Sequence, residues 1–167
     1  LRPALESHAG EDVCLLVCGH SRGAAVSNLL AARIDDGQLA DMGISAQDVF
    51  AYTLACPCDT LATDAADARY GNIFNLLVAS DIVPQLPLHA WGYTQYGRTA
   101  TFPRIGDDGF EKADEAMRTF YKAAFGLDSA SDPHDAEIVD AAIAELAETL
   151  LSSQGLGSLE SMAAIMH

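Results

Sequence analysis

The sequence predicts an α/β fold, a mostly parallel sheet flanked by helices and incomplete in this chain. Three apolar segments read as strands, Val13 to Cys18, Val49 to Ala55 and Asn72 to Ala79. Between the first two lies Ala24 to Ile34, with apolar residues at helical spacing, so the order begins strand, helix, strand. Chemistry-bearing residues follow the strand ends, where ligands of open α/β sheets bind.

In chain order, residues 1 to 9 read as the end of a helix closed by Gly10. The strand at 13–18 runs into Gly19-His20-Ser21-Arg22-Gly23, and a helix over 22–35 follows, ended by Asp36-Gly37. A G-x-S-x-G turn between strand and helix is an elbow that presents its serine above the sheet. Gly19 and Gly23 are expected to leave room for the tight reversal. The Arg22 N–H, among the helix donors without an intrahelical partner, is placed to stabilise an oxyanion. The competing reading of Ser21 is an ordinary helix cap.

Residues 38–47 form a connection with room for a helical turn, and Val49 to Ala55 carries the aromatic and β-branched residues of a strand. Pro57 stops it, and 58–68 reads as an Asp- and Ala-rich surface crossover. The third strand delivers Ser80-Asp81 to the edge that bears Ser21, a spacing compatible with a nucleophile and the acid that orients its histidine. Residues 82–87 are extended and proline-punctuated, and Trp91 to Thr101 reads as a loop or hairpin at the site mouth. Helices are expected over 111–125, with Ala113, Met117, Phe120 and Ala124 on one face, and over 134–151, with Ile138, Ala142, Leu146 and Leu150 in a stripe. Asp132-Pro133-His134 caps the second. A short helix from Leu159 to Met166 ends the chain.

The 167 residues, half of them hydrophobic, suffice for one sizeable core. Lys and Arg number 9 against 24 Asp and Glu, a net charge of -15 that disfavours nucleic acid and anionic membrane as partners. From residue 123 onward there are eight acidic residues and no Lys or Arg, which reads as a solvated helix surface. Cys14 and Cys18 read as small hydrophobes of the first strand. Cys56-Pro57-Cys58 lacks the partners of a redox or zinc site, so no metal or cofactor is expected. No segment reads as a membrane span, and location stays open.

A serine nucleophile needs a histidine base. His20 points away from Ser21 by strand geometry, and His8 precedes the elbow, whereas the expected chain order is serine, acid, histidine. His89 follows Asp81 closely and His167 is terminal. His134, in a loop at a helix start, is the preferred base; His89, His167 and a base outside this chain stay open.

GHSRGAAVSNLLAARI, then VFAYTLACP, then NIFNLLVASDIVPQLPL followed by WGYTQYGR resemble the fungal-type (class 3) lipase family and its lipase-like bacterial relatives, over roughly residues 12–100. The resemblance implies an α/β-hydrolase-type sheet and cofactor-free cleavage of carboxylic esters, often of lipids. It implies Ser21 as nucleophile, Asp81 of the D-I-V-P segment as triad acid, and Arg22, where the family usually has leucine, as backbone oxyanion donor. Such proteins carry strands and a first oxyanion loop upstream of the elbow strand, so residues 1–167 read as a partial or processed domain. A missing N-terminal segment or a second polypeptide is then expected to complete the sheet. Ile82, Val83, Leu86, Leu88 and Trp91 would line an acyl cleft, or else serve as ordinary core. A peptidase or amidase of the same fold, and a non-catalytic interaction domain retaining the elbow, are the alternatives.

Overall fold

In the computed structural model, which describes residues 1–130, 132 and 134–152, a short helix α1 (Arg2–Glu6) leads into strand β1 (Leu15–His20). Helix α2 (Arg22–Asp35) returns the chain to strand β2 (Val49–Leu54) through two 3-10 turns, Ala40–Met42 and Ala46–Asp48. Strand β3 (Ile73–Leu77) follows, then β4 (Arg98–Thr101) and the helices α3 (Phe110–Phe125) and α4 (Asp135–Ser152). Among the described residues the four strands are all parallel and lie in the order β1-β2-β3-β4. The fold is thus a parallel sheet flanked by helices. Among the described residues no helix is long and apolar enough to cross a membrane.

The core lies between α2 and one sheet face. Small residues, Ala31 and Ala32, let the helix approach closely, and Ile34, Val49, Ala51 and Ile73 fill the space with Leu5, Leu39, Ile44 and Tyr70. Burying Val49 or Ile73 completely contributes about 1.5–3 kcal/mol each. The polar residues in the same layer are mutually bonded. Asn28 of α2 donates to the Asn75 side-chain oxygen at 2.9 Å and to the Tyr96 carbonyl at 2.9 Å, and accepts from the Tyr96 N–H at 3.0 Å. Thr53 donates to the same Asn75 oxygen at 2.6 Å, and the Asn75 amide donates to the Tyr96 carbonyl at 2.9 Å. The network ties α2, β2, β3 and the segment before β4 together below the elbow.

The structure corrects several expectations. The strands are not buried on both faces: inward residues alternate with exposed Leu16, Phe50, Tyr52, Leu54 and Leu76, because the helix packed across the strands, α2, lies on the other face. Cys14 and Cys18 are accordingly exposed, while Cys56 and Cys58 are buried. No hairpin forms at 91–101; Arg98–Thr101 pairs parallel to β3 as a fourth strand. Its four residues are exposed and carry no apolar alternation, so pattern could not reveal it. Gly97, at φ 93°, permits the approach, since a Cβ there would sit 2.4 Å from the Ile73 carbonyl oxygen.

Residues 83–85 form a 3-10 turn rather than extended chain. On α3 the shielded positions include Ala113, Met117 and Tyr121, with Phe120 exposed. On α4 they are Ala136, Val139, Ile143, Leu146 and Ala147, with Ile138 exposed. Both helices contain enough alanine to blur the phase of the apolar stripe. The helix expected at 159–166, His167 and Pro133 lie outside the described residues.

Candidate active site

The elbow is built from backbone strain. Ser21 adopts φ 54°, ψ -125°, a region that costs a non-glycine residue about 1–3 kcal/mol. The surrounding bonds hold it there: its N–H donates to the Leu54 carbonyl at the end of β2 at 3.0 Å, and its carbonyl accepts from Ala24 and Ala25 at 2.9 and 3.2 Å, starting α2. The Ser21 hydroxyl makes no capping bond to the helix, and the residue is half-buried. The ordinary-cap reading therefore lacks its defining hydrogen bond.

The two elbow glycines differ. A Cβ on Gly19 would lie 2.2 Å from the Gly23 carbonyl oxygen and 2.5 Å from Ser27 Oγ, so only glycine fits. A Cβ on Gly23 would meet nothing within 4 Å, against the expectation that both make room. Arg22 is the first residue of α2, where N–H groups have no intrahelical acceptor.

Asp81 follows β3 at the same carboxyl edge. One carboxylate oxygen accepts the Val83 N–H at 2.9 Å, and the Asp81 N–H donates to Val78 at 3.0 Å, which clamps the turn after the strand. The parallel register aligns Gly19 with Thr53 and Thr53 with Asn75, so the β1 and β3 exits stand two strand spacings apart, roughly 10 Å.

His134 stands at the start of α4. Its N–H donates to the Asp132 side chain at 2.9 Å, and its exposed imidazole lies 3.8 Å from Glu137. Its neighbours Asp132 and Ala136 line a cavity of about 90 Å³ together with Val78, Ala79 and Ser80 of the β3 exit and Phe102, Phe110 and Met117. The loop bearing His134 is thus brought beside the segment bearing Asp81. Among the described residues no hydrogen bond joins an imidazole to Ser21 or Asp81. His89 instead holds the Tyr93 carbonyl at 2.9 Å and contacts the Cys58 thiol at 3.5 Å, and His8 pairs with Glu11 at 3.1 Å. His20 is exposed on the uncovered sheet face. Ile82, Val83, Leu86, Leu88 and Trp91 line none of the 90 Å³ cavity, and Leu88 is buried as core. A wider cleft of about 890 Å³, bordered by α1 and residues 41–48, lies at the amino ends of the strands, the opposite edge from Ser21.

Beside the site, Asp59 follows β2 and is shielded enough that its carboxyl is pushed up to about 7, chiefly by burial. Burial, together with the Asp59 charge, raises the Cys56 thiol to about 12 and the Cys58 thiol to about 11. Both thiols are therefore protonated at neutral pH, and among the described residues no group of three His, Cys, Asp or Glu could hold a metal. Asp59 and the Thr53, Asn75 and Asn28 network were missed in the sequence. The available signal was polar residues on otherwise apolar strands, at 53 and 75.

The family described as Lipase (class 3) matches residues 1–91. Among curated proteins none matches the chain in sequence. Among solved structures, the triacylglyceride lipase of Rhizomucor miehei superposes with a TM-score of 0.50 at 25% identity, covering 60% of this chain and 38% of its own. A lipase from Rhizopus microsporus var. chinensis does so with a TM-score of 0.48 at 24% identity, over 60% of this chain and 34% of that one. The chain thus spans well under half the length of the lipases it matches.

Proposed function

The chain belongs to the lipase (class 3) family, and from that premise we propose that it carries the nucleophile and acid of a serine hydrolase that cleaves carboxylic esters, lipid-like ones foremost. The observation that carries this reading is the strained Ser21, held at φ 54° between β1 and α2 with its hydroxyl unused as a cap. Backbone strain of this kind clusters at functional sites, and at this half-buried strand end it presents a hydroxyl above the sheet.

In the proposed cycle, histidine accepts the Ser21 proton as the oxygen attacks the ester carbonyl, and Asp81 stabilises the imidazolium. The Arg22 N–H holds the tetrahedral oxyanion with a second donor from outside these residues. Collapse expels the alcohol, which takes the proton back from histidine; water, deprotonated by the same base, then releases the acid. His134 is the proposed base because its loop neighbours the β3 exit that leads to Asp81, and forming the triad requires its imidazole to leave Glu137.

The test is covalent labelling by an alkyl fluorophosphonate, comparing the natural protein with Ser21→Ala and His134→Ala. Labelling that requires Ser21 supports the reading, and loss in His134→Ala as well assigns the base. Labelling that persists in Ser21→Ala overturns it. Turnover of matched p-nitrophenyl ester and p-nitroanilide substrates then separates esterase from amidase chemistry.

A further inference from the structure

Cations are scarce in this chain, and most are neutralised. Arg2, Arg69, Arg104, Arg118 and Lys122 each pair with an aspartate. Arg22 does not. Its side chain is exposed, and among the described residues its guanidinium has no hydrogen bond or ion pair, in a chain with 24 Asp and Glu. Its place makes that isolation unfavourable. Arg22 opens α2, the helix end that carries partial positive charge, and the first turn holds no acidic residue to offset it. Arg33, by contrast, lies in the last turn of α2, where a cation is favoured, and Lys112 shares the first turn of α3 with Glu111. Nor does Asp81 compensate, since it holds the Val83 N–H at the β3 exit, roughly 10 Å along the sheet edge. The ground beside Arg22 is open, for a Cβ on Gly23 would meet nothing within 4 Å.

We propose that Arg22 is a specificity residue, whose guanidinium holds an anionic group, carboxylate or phosphate, on the ester that Ser21 attacks. The proposal rests on the hydrolase reading. There the Arg22 N–H is the oxyanion donor, so the side chain starts at the residue next to the reacting serine. A guanidinium fork matches the oxygens of either anion with two parallel hydrogen bonds. The net charge of -15 repels anionic esters, so a preference for them requires a local cation. The same charge disfavours docking on an anionic bilayer, which selects small, dispersed esters as the substrates.

The test compares kcat/KM in the natural protein for two pairs of esters that differ in charge. For carboxylate these are p-nitrophenyl hydrogen glutarate and p-nitrophenyl pentanoate; for phosphate, butyrylglycerol phosphate and butyrylglycerol. The anionic member of one pair is expected to be favoured by about tenfold or more, and that pair identifies the anion. Arg22→Leu is expected to erase or reverse the ratio, and Arg22→Lys to keep part of it. In the unaltered protein the preference shrinks as NaCl rises from about 0.05 to about 0.5 M. Each readout is a ratio within one variant, so a disturbed elbow that slows both members alike leaves it unmoved. No preference for either anionic ester overturns the proposal, as does a preference that survives Arg22→Leu. Turnover of none of the four esters overturns it too, and fluorophosphonate labelling of Ser21 shows separately whether the hydrolase reading stands.

Discussion

At the scale of single residues, the strain at Ser21 makes a prediction that separates function from stability. Glycine adopts φ 54° without penalty, so Ser21→Gly relieves part of the roughly 1–3 kcal/mol stored in the elbow. We expect its urea midpoint to rise while fluorophosphonate labelling and ester turnover disappear. Ser21→Ala keeps the strain, so it loses the same activity with an unchanged midpoint. A Ser21→Gly variant no more stable than Ser21→Ala would show that the surrounding bonds, not the serine, set the cost. The pattern G-x-S-x-G was legible in the sequence, but its glycines were not equivalent: Gly19 is constrained by the Gly23 carbonyl and Ser27, contacts that exist only once α2 has folded back.

At the scale of elements, α2 is held to the sheet by both alanine packing and a polar network. Asn28 is fully buried, and its amide satisfies both the Tyr96 N–H and the Tyr96 carbonyl. Truncation leaves buried groups unpaired, each costing about 1–3 kcal/mol. Asn28→Ala is therefore expected to destabilise by about 2–4 kcal/mol in urea titration. Combined with Asn75→Ala the loss should fall short of the sum, since both residues serve the same Tyr96 carbonyl. An additive double mutant would show that the two side chains act separately. The extents of α2, α3 and α4 were readable from periodicity, and of the expected stripes Ala113, Met117 and Leu146 are shielded while Phe120, Ala124, Ile138 and Ala142 are exposed. Alanine is compatible with either side of a helix, so packing decided the rotation.

At the scale of the whole molecule, buried carboxyls link stability to pH. Burial raises Asp59 to about 7 and Asp35 to about 6, each above its ordinary value near 3.8. For Asp35 the hydrogen bond from Asn72 opposes the shift without cancelling it. A raised folded-state pKa means that the folded chain holds protons the unfolded chain has released. The stability these groups contribute is complete below about pH 4 and is lost as pH rises through 6 to 7. Asp59→Asn removes the ionisation, so its thermal midpoint should fall less than that of the unaltered chain between pH 4 and pH 8. Equal slopes would place the linkage elsewhere.

Local order determined much of this protein in sequence: the three apolar strands, the helix after the first, and the serine between two glycines follow from residues that are neighbours in the chain. The likeness of that order to class 3 lipases was legible for the same reason. Only the tertiary structure decided that Arg98–Thr101 is a fourth strand, because its pairing with β3 depends on the approach at Gly97 rather than on an apolar pattern. It alone decided that Thr53, Asn75 and Asn28 satisfy one another and that Cys56 and Cys58 are enclosed. It also decided that, among the described residues, one sheet face stands uncovered. An apolar run shows that a strand can be buried on both faces, but its burial depends on where other elements pack.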